Sequence, residues 1–252
     1  MAGIILTGCN GKMGRAVTNS VAETDSFEIV CGIDIFTEER YGYPVYASPS
    51  LISDETAKKA DVIIDFSNPG AIAGLLEFAV KHSLPAVICT TGLNESQINL
   101  IRTAATKIPV FFSANMSLGV ALLVELAKTA ALAMPDAEIE IIEKHHNRKL
   151  DAPSGTALMI SSAIKEVRPT AYENLGRSGQ GKRCPDEIGI HAIRMGNIVG
   201  EHEVIIGTQT QTITLKHEAH SRTLFAEGAI AAAAFLVTRP HGLYDMKSLV
   251  GG

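Results

Sequence analysis

The sequence predicts an α/β fold in which a doubly wound parallel sheet carries an inserted α+β domain with a mixed sheet. Over the first 113 residues, short apolar runs alternate with helical stretches, the pattern of a parallel sheet covered on both faces. After residue 117, a long apolar helix leads into strands in which apolar and charged residues alternate, as in a sheet with one solvated face. The apolar helix at residues 222–237 is expected to return to the first domain. The predicted domains are therefore residues 1–116 plus 223–252, and residues 117–222.

The strands of the first domain are predicted from five short apolar runs, at residues 4–7, 27–33, 62–66, 86–89 and 110–113. Runs this short and this apolar are typical of strands buried on both faces. The first helix is predicted at residues 13–23. A later helix begins after Asn94, because Asn94 and Gln97 have the spacing of a capping box.

The second domain is predicted to contain one long helix and four strands. The helix covers residues 118–134, and in the strand at residues 137–143 Glu138 and Glu140 alternate with isoleucines. Three more strand-like runs follow, at residues 188–195, 201–206 and 210–217. The glycine- and proline-containing segment at residues 173–187 predicts a mobile surface loop.

Composition excludes several classes of protein. Hydrophobic residues make up 46% of the 252 residues and charged residues 19%, which supplies a packed core and excludes a disordered chain. The net charge of -5 argues against nucleic-acid binding. The longest uncharged apolar run, residues 228–237, is too short to cross a bilayer, and the first eight residues lack the features of a secretion signal. We therefore expect a cytoplasmic protein that binds neither nucleic acid nor membrane.

A metal site is not expected. The four cysteines include no CxxC pair, so reduced thiols are the simplest account of them. The paired His145 and His146 have no cysteine or carboxylate at ligand spacing nearby, and four other histidines are scattered. The scattered histidines are His191, His202, His217 and His220.

Three glycines between the first strand and the first helix predict a phosphate-binding turn. Gly8, Gly11 and Gly14 occupy the place where Rossmann-type domains let the backbone approach a pyrophosphate, whose charge meets N–H groups of the helix start. Asp34 ends the second strand 20 residues beyond Gly14, where a carboxylate accepts hydrogen bonds from a ribose. A tight turn without a ligand is the alternative, because the spacing GxxGxxG departs from the commoner GxGxxG. The strand before the turn and the carboxylate after it favour a bound nicotinamide dinucleotide.

The residues after Asp34 favour NADH over NADPH. Ile35 and Phe36 follow it, so no arginine stands beside the carboxylate to accept a 2'-phosphate. Lys12 and Arg15 at the helix start could still attract that group. The predicted cofactor is therefore NADH or NADPH, with NADH preferred.

Two further loops follow later strands of the predicted parallel sheet, at residues 89–92 and 113–116. Ligands collect at the carboxyl ends of such strands. The small hydroxyl and amide side chains there could hydrogen-bond the nicotinamide half of a dinucleotide. Ordinary helix capping is the alternative, because Thr91, Asn94 and Ser117 are all good capping residues.

Residues 143–157 form the most unusual stretch of the chain, with two histidines and three cations around the end of a strand, then a proline and a helix start. Ser154 is a natural N-cap, so the N–H groups of Gly155 and Thr156 would point at an anion, for which a carboxylate fits. Lys149 lies four residues beyond His145 and can supply a charge or a proton to the same ligand, and histidine titrates near working pH. A solvated basic loop is the alternative interpretation.

Together these motifs resemble the 4-hydroxy-tetrahydrodipicolinate reductase (dihydrodipicolinate reductase) family. The resemblance covers essentially the whole chain and implies a two-domain homotetramer. It also implies reduction of a small cyclic dicarboxylate with NADH or NADPH, on the path to diaminopimelate and lysine. The residues that carry it are the glycine turn with Lys12-Met13, TTG at 90–92, SANM at 113–116, HH at 145–146 with Lys149, DAPSGTA at 151–157, and segments 194–202, 221–229 and 242–246.

The resemblance implies roles for individual residues. His145 resembles the acid/base, and Lys149 resembles its partner in protonating the reduced substrate. The second domain would bind substrate and form the tetramer, and the carboxylates would be held by His146, Ser154, Gly155, Thr156 and Arg222. The dinucleotide would be held by Gly8, Cys9, Asn10, Gly11, Lys12, Met13, Asp34, Cys89, Thr90, Thr91, Ser113, Ala114, Asn115 and Met116.

Two other functions fit parts of the sequence. Another NAD(P)-dependent dehydrogenase of similar layout would share the glycine turn but would not need the HHNRK and DAPSGTA motifs at residues 145–157. If it were a semialdehyde dehydrogenase, it would usually require a nucleophilic cysteine near the second half of the site. A non-catalytic protein that senses the dinucleotide would require a DNA-binding or partner-binding module, and the sequence contains no basic module of that kind.

Overall fold

The chain folds into two compact units. A computed structural model describes residues 1–251, in which Met1–Ser117 and the chain from Thr223 onward form the first unit and Leu118–Arg222 forms the second. The second unit is therefore an insertion between two parts of the first. Within the described residues, every helix is too short or too polar to span a lipid bilayer.

The first unit is built on a seven-stranded parallel sheet, which confirms the predicted doubly wound α/β fold. The strands are β1 (Ala2–Thr7), β2 (Phe27–Ile33), β3 (Val45–Tyr46), β4 (Val62–Asp65), β5 (Ala86–Ile88), β6 (Pro109–Phe112) and β12 (Gly242–Tyr244). The helices are α1 (Lys12–Ala22), α2 (Asp54–Ala57), α3 (Ile72–His82), α4 (Glu95–Ala105), α7 (Thr223–Leu236) and α8 (Met246–Val250).

The position of β1 determines where this sheet can bind a ligand. The strand order is β12-β6-β5-β4-β1-β2-β3, so the chain runs outward from β1 first to one side and then to the other. Ile4, Ile5 and Leu6 of β1 are fully buried because both faces of the sheet are covered. In open parallel sheets, ligands bind at the carboxyl ends of the strands where the order reverses, which here is the end of β1 at Thr7.

Local signals in the sequence locate some elements well and miss others. The capping box of α4 is confirmed, because Asn94 Oδ1 accepts the Gln97 N–H at 3.0 Å and Gln97 Oε1 accepts the Asn94 N–H at 2.9 Å. The sequence does not predict β3 and β12, which form the two edges of the sheet. They have two and three residues, too few to show a periodic pattern.

The second unit contains the predicted mixed sheet, with β7 pairing in parallel with β9 and antiparallel with β10. Two helices pack on one face of this sheet around a core that includes Ile139, Ile141, Ile160 and Val204. The strands are β7 (Glu138–His145), β8 (Tyr172–Leu175), β9 (Glu187–Arg194), β10 (Gly200–Gly207) and β11 (Thr212–Ala219), in the order β11-β10-β7-β9-β8. The helices are α5 (Leu118–Ala133) and α6 (Gly155–Val167).

The prediction of a mobile loop at residues 173–187 is wrong at both ends, because residues 173–175 belong to the edge strand β8 and Glu187 begins β9. The strand has the mixed sequence YENL, which lacks the apolar run that marks the other strands. The strand forms because it pairs with β9, and its own sequence does not predict that pairing. The later part of the segment is held by Arg183, whose Nη2 donates to the Ile139 carbonyl at 2.7 Å, and by an ion pair between Arg177 and Glu187.

Candidate active site

The glycine turn lies at the carboxyl end of β1. Each of its three glycines is needed for a different structural reason. Gly8 has a φ of +71°, in the left-handed region, and a Cβ there would overlap the Phe66 carbonyl. A Cβ on Gly14 would overlap the Gly8 carbonyl, so this glycine lets α1 pack against the turn. Gly11 is the N-cap of α1 and, lacking a side chain, offers no acceptor to the first-turn N–H groups. Those N–H groups can therefore point at an anion.

Asp34 is held in place by two backbone amides. Asn10 donates its N–H to Oδ2 at 2.9 Å, and Phe36 donates its N–H to Oδ1 at 3.0 Å. The Asn10 side chain ties the turn to the segment after β2, because its Nδ2 donates to the Phe36 carbonyl at 2.6 Å and to the Glu38 carbonyl at 3.0 Å. The carboxylate is thus fixed beside the phosphate turn, as recognition of a ribose requires.

A cavity of about 520 Å³ runs along the glycine turn and Asp34. Its volume, the left-handed Gly8 and the helix start without a side-chain cap fit a nucleotide bound along the end of β1. The sequence does not indicate the opposite wall of this cavity, because that wall has no distinctive motif. That wall includes Ser48, Pro49, Phe66, Ser67, Asn68, Gly70 and Ala71.

Asp65 is a further residue of this site that the sequence does not predict. Its fully buried carboxylate accepts hydrogen bonds from Ser67 Oγ at 2.6 Å, from Thr90 Oγ1 at 2.7 Å and from the Thr7 hydroxyl. The carboxylate therefore ties together the carboxyl ends of β1, β4 and β5. The sequence contains a signal for this role, because Asp65 directly follows the apolar residues of β4. A carboxylate at the end of a buried strand requires hydrogen-bond partners.

Several predicted cofactor residues are buried and can offer a ligand only their backbone. Cys9 packs beneath Gly32, and burial raises the pKa of its thiol to about 11. Cys89, Thr90 and Met116 are also buried. The thiols of this site are therefore protonated and belong to the packing of the turn.

The loop at residues 113–116 is stabilised by its own hydrogen bonds. Ser113 Oγ donates to the Asn115 carbonyl at 2.7 Å, and Asn115 Oδ1 accepts the Ser117 N–H at 3.0 Å. A Cβ on Gly228 of α7 would overlap the Met116 carbonyl, so α7 fixes the loop from behind. Ala114 is exposed, as is Thr91 in the neighbouring loop, and both can contact a ligand.

Glu143 is the anchor of the predicted substrate site in the second unit. Its carboxylate is fully buried and bonds Arg194 through both oxygens, at 2.6 and 2.7 Å. The same carboxylate lies 2.6 Å from His145 Nδ1 and accepts the Ser154 N–H at 2.9 Å. Burial alone would raise the pKa of Glu143, but the hydrogen bonds from His145, Arg194 and the Ser154 N–H lower it to about 2. The group is therefore a permanent anion.

Strand geometry explains why these residues meet. Glu143 and His145 are two residues apart in β7, so both side chains lie on the face that carries the core. Arg194 occupies the register position beside His145 on β9. Ser154 begins α6 and caps it, since Ser154 Oγ accepts the Ala157 N–H at 3.2 Å, which confirms it as an N-cap. The carboxylate therefore joins the end of a strand to the start of a helix.

His202 completes this cluster and has a position that the sequence analysis does not predict. It is only 4% exposed, its Nε2 lies 3.0 Å from Ser154 Oγ, and its ring meets the His145 ring edge to face at 5.2 Å. Burial, followed by the charge of His145, lowers the pKa of His202 to about 4, so this ring is neutral at working pH. The sequence does contain a signal for its burial, because His202 shares the spacing of Val204 and Ile206, which lie on the buried face of β10.

The remaining predicted substrate residues also belong to the second unit. Lys149 Nζ lies 2.8 Å from Asp151 Oδ1, so this cation is paired with an exposed carboxylate and not with His145. Burial, followed by the charges of Arg148 and Arg222, lowers the pKa of His146. The open side of the helix start is formed by Gly155, where an added Cβ would enter open space. The described residues contain no cluster of His, Cys, Asp and Glu arranged to hold a metal ion.

Comparison with known proteins gives one family over both units. Residues 2–116 match the family model described as dihydrodipicolinate reductase, N-terminus, and residues 119–250 match dihydrodipicolinate reductase, C-terminus. A protein named 4-hydroxy-tetrahydrodipicolinate reductase from Caldanaerobacter subterraneus subsp. tengcongensis is 47% identical over 99% of this chain and 98% of its own. One of the same name from Clostridium tetani is 43% identical over 99% of this chain and 97% of its own.

Solved structures agree with this result. A dipicolinate-bound dihydrodipicolinate reductase from Paenisporosarcina sp. TG-14 has a TM-score of 0.81 and 26% identity, with 98% of each chain covered. A diaminopimelate dehydrogenase from Corynebacterium glutamicum has a TM-score of 0.58 and 13% identity, over 97% of this chain and 92% of its own. At that identity the second structure shows the fold alone.

Proposed function

The chain belongs to the dihydrodipicolinate reductase family, and on that premise we infer that it reduces 4-hydroxy-tetrahydrodipicolinate to tetrahydrodipicolinate in the diaminopimelate route of lysine biosynthesis. It is an NAD(P)H-dependent oxidoreductase with a Rossmann-type first unit. One observation in the structure carries the inference. The buried Glu143 carboxylate holds together the acid/base candidate His145 and the anion-binding start of α6.

We assign cofactor binding to the first unit. When bound, the dihydronicotinamide supplies a hydride. The N–H groups after Gly11 would hold the pyrophosphate, and Asp34 would accept hydrogen bonds from a ribose. Exposed residues of the two later loops, Thr91 and Ala114, would face the nicotinamide half.

We assign substrate binding to the second unit. The substrate carries two carboxylates, and the N-terminal turn of α6 at Ser154, Gly155 and Thr156 suits one of them. The cations of Arg222 and Lys149, with the imidazole of His146, suit the other. The dipicolinate bound by the Paenisporosarcina relative has the same pair of carboxylates on a six-membered ring, which supports this assignment.

His145 is proposed as the acid that protonates the ring once it has accepted the hydride. Lys149 would act as its partner, since the two residues are four apart in the same segment and the lysine charge favours the anionic substrate. To act in this way, Lys149 must leave Asp151 and pair with the substrate. Asp151 is exposed, so breaking this ion pair costs little free energy.

The assignment is tested by following NADH oxidation after adding the freshly made product of dihydrodipicolinate synthase. We expect rapid oxidation with this compound and none with other keto acids or with semialdehydes. Oxidation with an unrelated keto acid would support another dehydrogenase, and dinucleotide binding without any turnover would support a sensor.

We propose that the enzyme uses NADH in preference to NADPH. Asp34 presents a negative charge where the ribose binds, and the side chains that follow it, Ile35 and Phe36, are exposed and apolar. The nearby cation Arg40 forms an ion pair with Glu38, so its charge is already balanced. A 2'-phosphate placed beside Asp34 would therefore meet repulsion.

Replacing Asp34 by alanine should raise the KM for NADH by about 10- to 100-fold, the usual loss when a charged hydrogen-bond acceptor is removed. The KM for NADPH should stay the same or fall, because the repulsive charge is gone. Steady-state kinetics with both cofactors measure this, and Asp25→Ala in the loop after α1 is the control. An equal rise for both cofactors would contradict the proposed preference.

We propose that the enzyme is a homotetramer assembled through the second unit. Its two helices cover only one face of the sheet, and the other face carries Ile142, Ile193 and Ile205 among charged residues. Ile193 is 40% exposed, and the other two are half-buried. An uncovered sheet face that combines isoleucines with charged residues can serve as a self-association surface.

Replacing Ile205 by lysine should convert the tetramer to smaller species, because it places a charge between the protomers. In the free protomer the lysine can pair with Glu140, which lies beside it on β7. Light scattering coupled to gel filtration measures the mass. Ser162→Lys, on an exposed position of α6, should leave the mass unchanged. A wild-type monomer, or a tetramer that persists in the Ile205 variant, would contradict the proposed assembly.

We also propose a cytoplasmic location. All four cysteines are unpaired, and burial raises the pKa of Cys31 to about 12. Free thiols and use of NAD(P)H are both typical of a reducing compartment.

A further inference from the structure

We propose that Glu143 is a positioning residue that holds His145 with its proton on Nδ1, so that Nε2 is the atom that delivers a proton to the reduced ring. The proposal rests on the function proposed above and deepens it, because it states which nitrogen acts and what selects it. It follows from three features of the structure: the partner of Nδ1, the surroundings of Nε2 and the absence of a side chain at Gly200.

The partner of Nδ1 decides the tautomer. The carboxylate of Glu143 lies 2.6 Å from Nδ1, and its other contacts are the donors of Arg194 and the Ser154 N–H. These interactions hold the pKa of Glu143 to about 2, so the group is ionised and can only accept hydrogen bonds. Nδ1 must therefore carry the hydrogen in both the neutral and the charged ring.

Nε2 is the nitrogen left for the substrate. Among residues 1–251, the hydrogen bonds of the His145 ring include none at Nε2, and this atom is not among the fully buried ones. The ring lies across from Gly200 on β10, where an added Cβ would stand 3.1 Å from Nε2. The φ of Gly200 lies outside the left-handed region, so backbone conformation does not demand a glycine there. A methyl group there would crowd Nε2, so the glycine leaves room beside this atom.

The proton step then balances without another reactant. The 4-hydroxyl group of the substrate leaves as water together with a hydrogen of the neighbouring carbon, which gives the conjugated ring. Addition of a hydride to that ring leaves an electron-rich enamine, and the adjacent carbon takes a proton from Nε2–H of the imidazolium. The N–H bond breaks, a C–H bond forms, and the electron pair stays on Nε2. The ring is left neutral with its hydrogen on Nδ1, still bonded to Glu143, and Nε2 regains a proton from water.

Replacing Glu143 by glutamine tests the tautomer directly. The amide has nearly the same shape, but it can donate as well as accept, so it no longer forces the hydrogen onto Nδ1. We expect ¹⁵N NMR of the His145 ring to show an Nδ1–H tautomer in the wild type and a mixture in Glu143→Gln. The resonances are assigned by their loss in His145→Gln. The kcat should fall by about 10- to 100-fold, part of what a positioned acid contributes, with the KM for NADH unchanged.

Replacing Gly200 by alanine tests whether Nε2 delivers the proton and leaves the buried ion pair of Glu143 and Arg194 in place. This variant also serves if Glu143→Gln fails to fold. The methyl group should lower kcat by about tenfold or more while the Nδ1–H signal persists. The control is Gly207→Ala in the same strand, where the added Cβ would stand 3.4 Å from Thr212 Oγ1 in ordinary contact, and wild-type kcat is expected.

The outcomes separate this proposal from the proposed function. Wild-type kcat in Gly200→Ala, or an Nδ1–H tautomer unchanged in Glu143→Gln, would overturn the proposal, even with His145 proven essential. Full activity in His145→Gln would instead overturn the role of His145 itself, whatever the NMR signal of the ring.

Discussion

Replacing His145 by glutamine lowers kcat by about 10²- to 10⁴-fold, the usual contribution of a positioned acid or base. Glutamine is polar and fills a similar volume, but it has no proton to give at working pH. The KM for NADH stays close to the wild-type value, because the residues assigned to the cofactor belong to the first unit. Initial rates of NADH oxidation at saturating substrate measure the effect.

The control for this variant is His191→Gln. His191 also pairs with a carboxylate in the same sheet, with its Nε2 2.8 Å from Glu140 Oε2, but it lies on the opposite face from His145. We expect nearly wild-type turnover from it, which separates loss of the acid from loss of a histidine–carboxylate pair. Unaltered turnover in His145→Gln would remove His145 from the mechanism.

Much of the fold could be predicted because its signals are local. The buried strands of the first unit are apolar runs, and β1 and β4 each end at a polar residue, Thr7 and Asp65. Ser154 predicts the start of α6, because it is a typical N-cap residue. The glycine turn is predicted by its place between a strand and a helix. Each of these features depends on neighbours within about four residues, which a sequence displays directly.

The substrate site was harder to predict because its central contacts are not local. Glu143 and Arg194 are 51 positions apart and meet only through the register of β7 and β9. Sequence alternation gave a partial signal: counting by twos from Ile139 and Ile141 places Glu143 on the buried face. A buried carboxylate requires a cationic partner, but nothing in the sequence alone says which of the 22 lysines and arginines supplies it.

Replacing Arg194 by leucine destabilises the folded protein by about 3–5 kcal/mol, because it leaves the fully buried Glu143 carboxylate without its cation. Urea-denaturation midpoints measure the loss. The effect depends on pH with a definite sign. The pKa of Glu143 in the folded wild type, about 2, lies below its ordinary value of 4.5, so its ionised form stabilises the fold above that ordinary value. This contribution is lost as the pH falls through the folded pKa.

In Arg194→Leu the pKa of Glu143 rises, because one of the groups that lowers it is gone. The difference in unfolding free energy between wild type and variant should therefore be widest near neutral pH and narrow in acid, as the variant's Glu143 takes up a proton.

Arg102→Leu is the control: Arg102 lies 2.7 Å from Glu95, but both side chains are more than half exposed, so the loss should stay below about 1 kcal/mol. The double variant Glu143→Leu with Arg194→Leu should recover part of the lost stability, since no charge is then left buried alone. A difference between wild type and Arg194→Leu that is small, or that does not change with pH, would mean that Glu143 is not the charge that Arg194 balances.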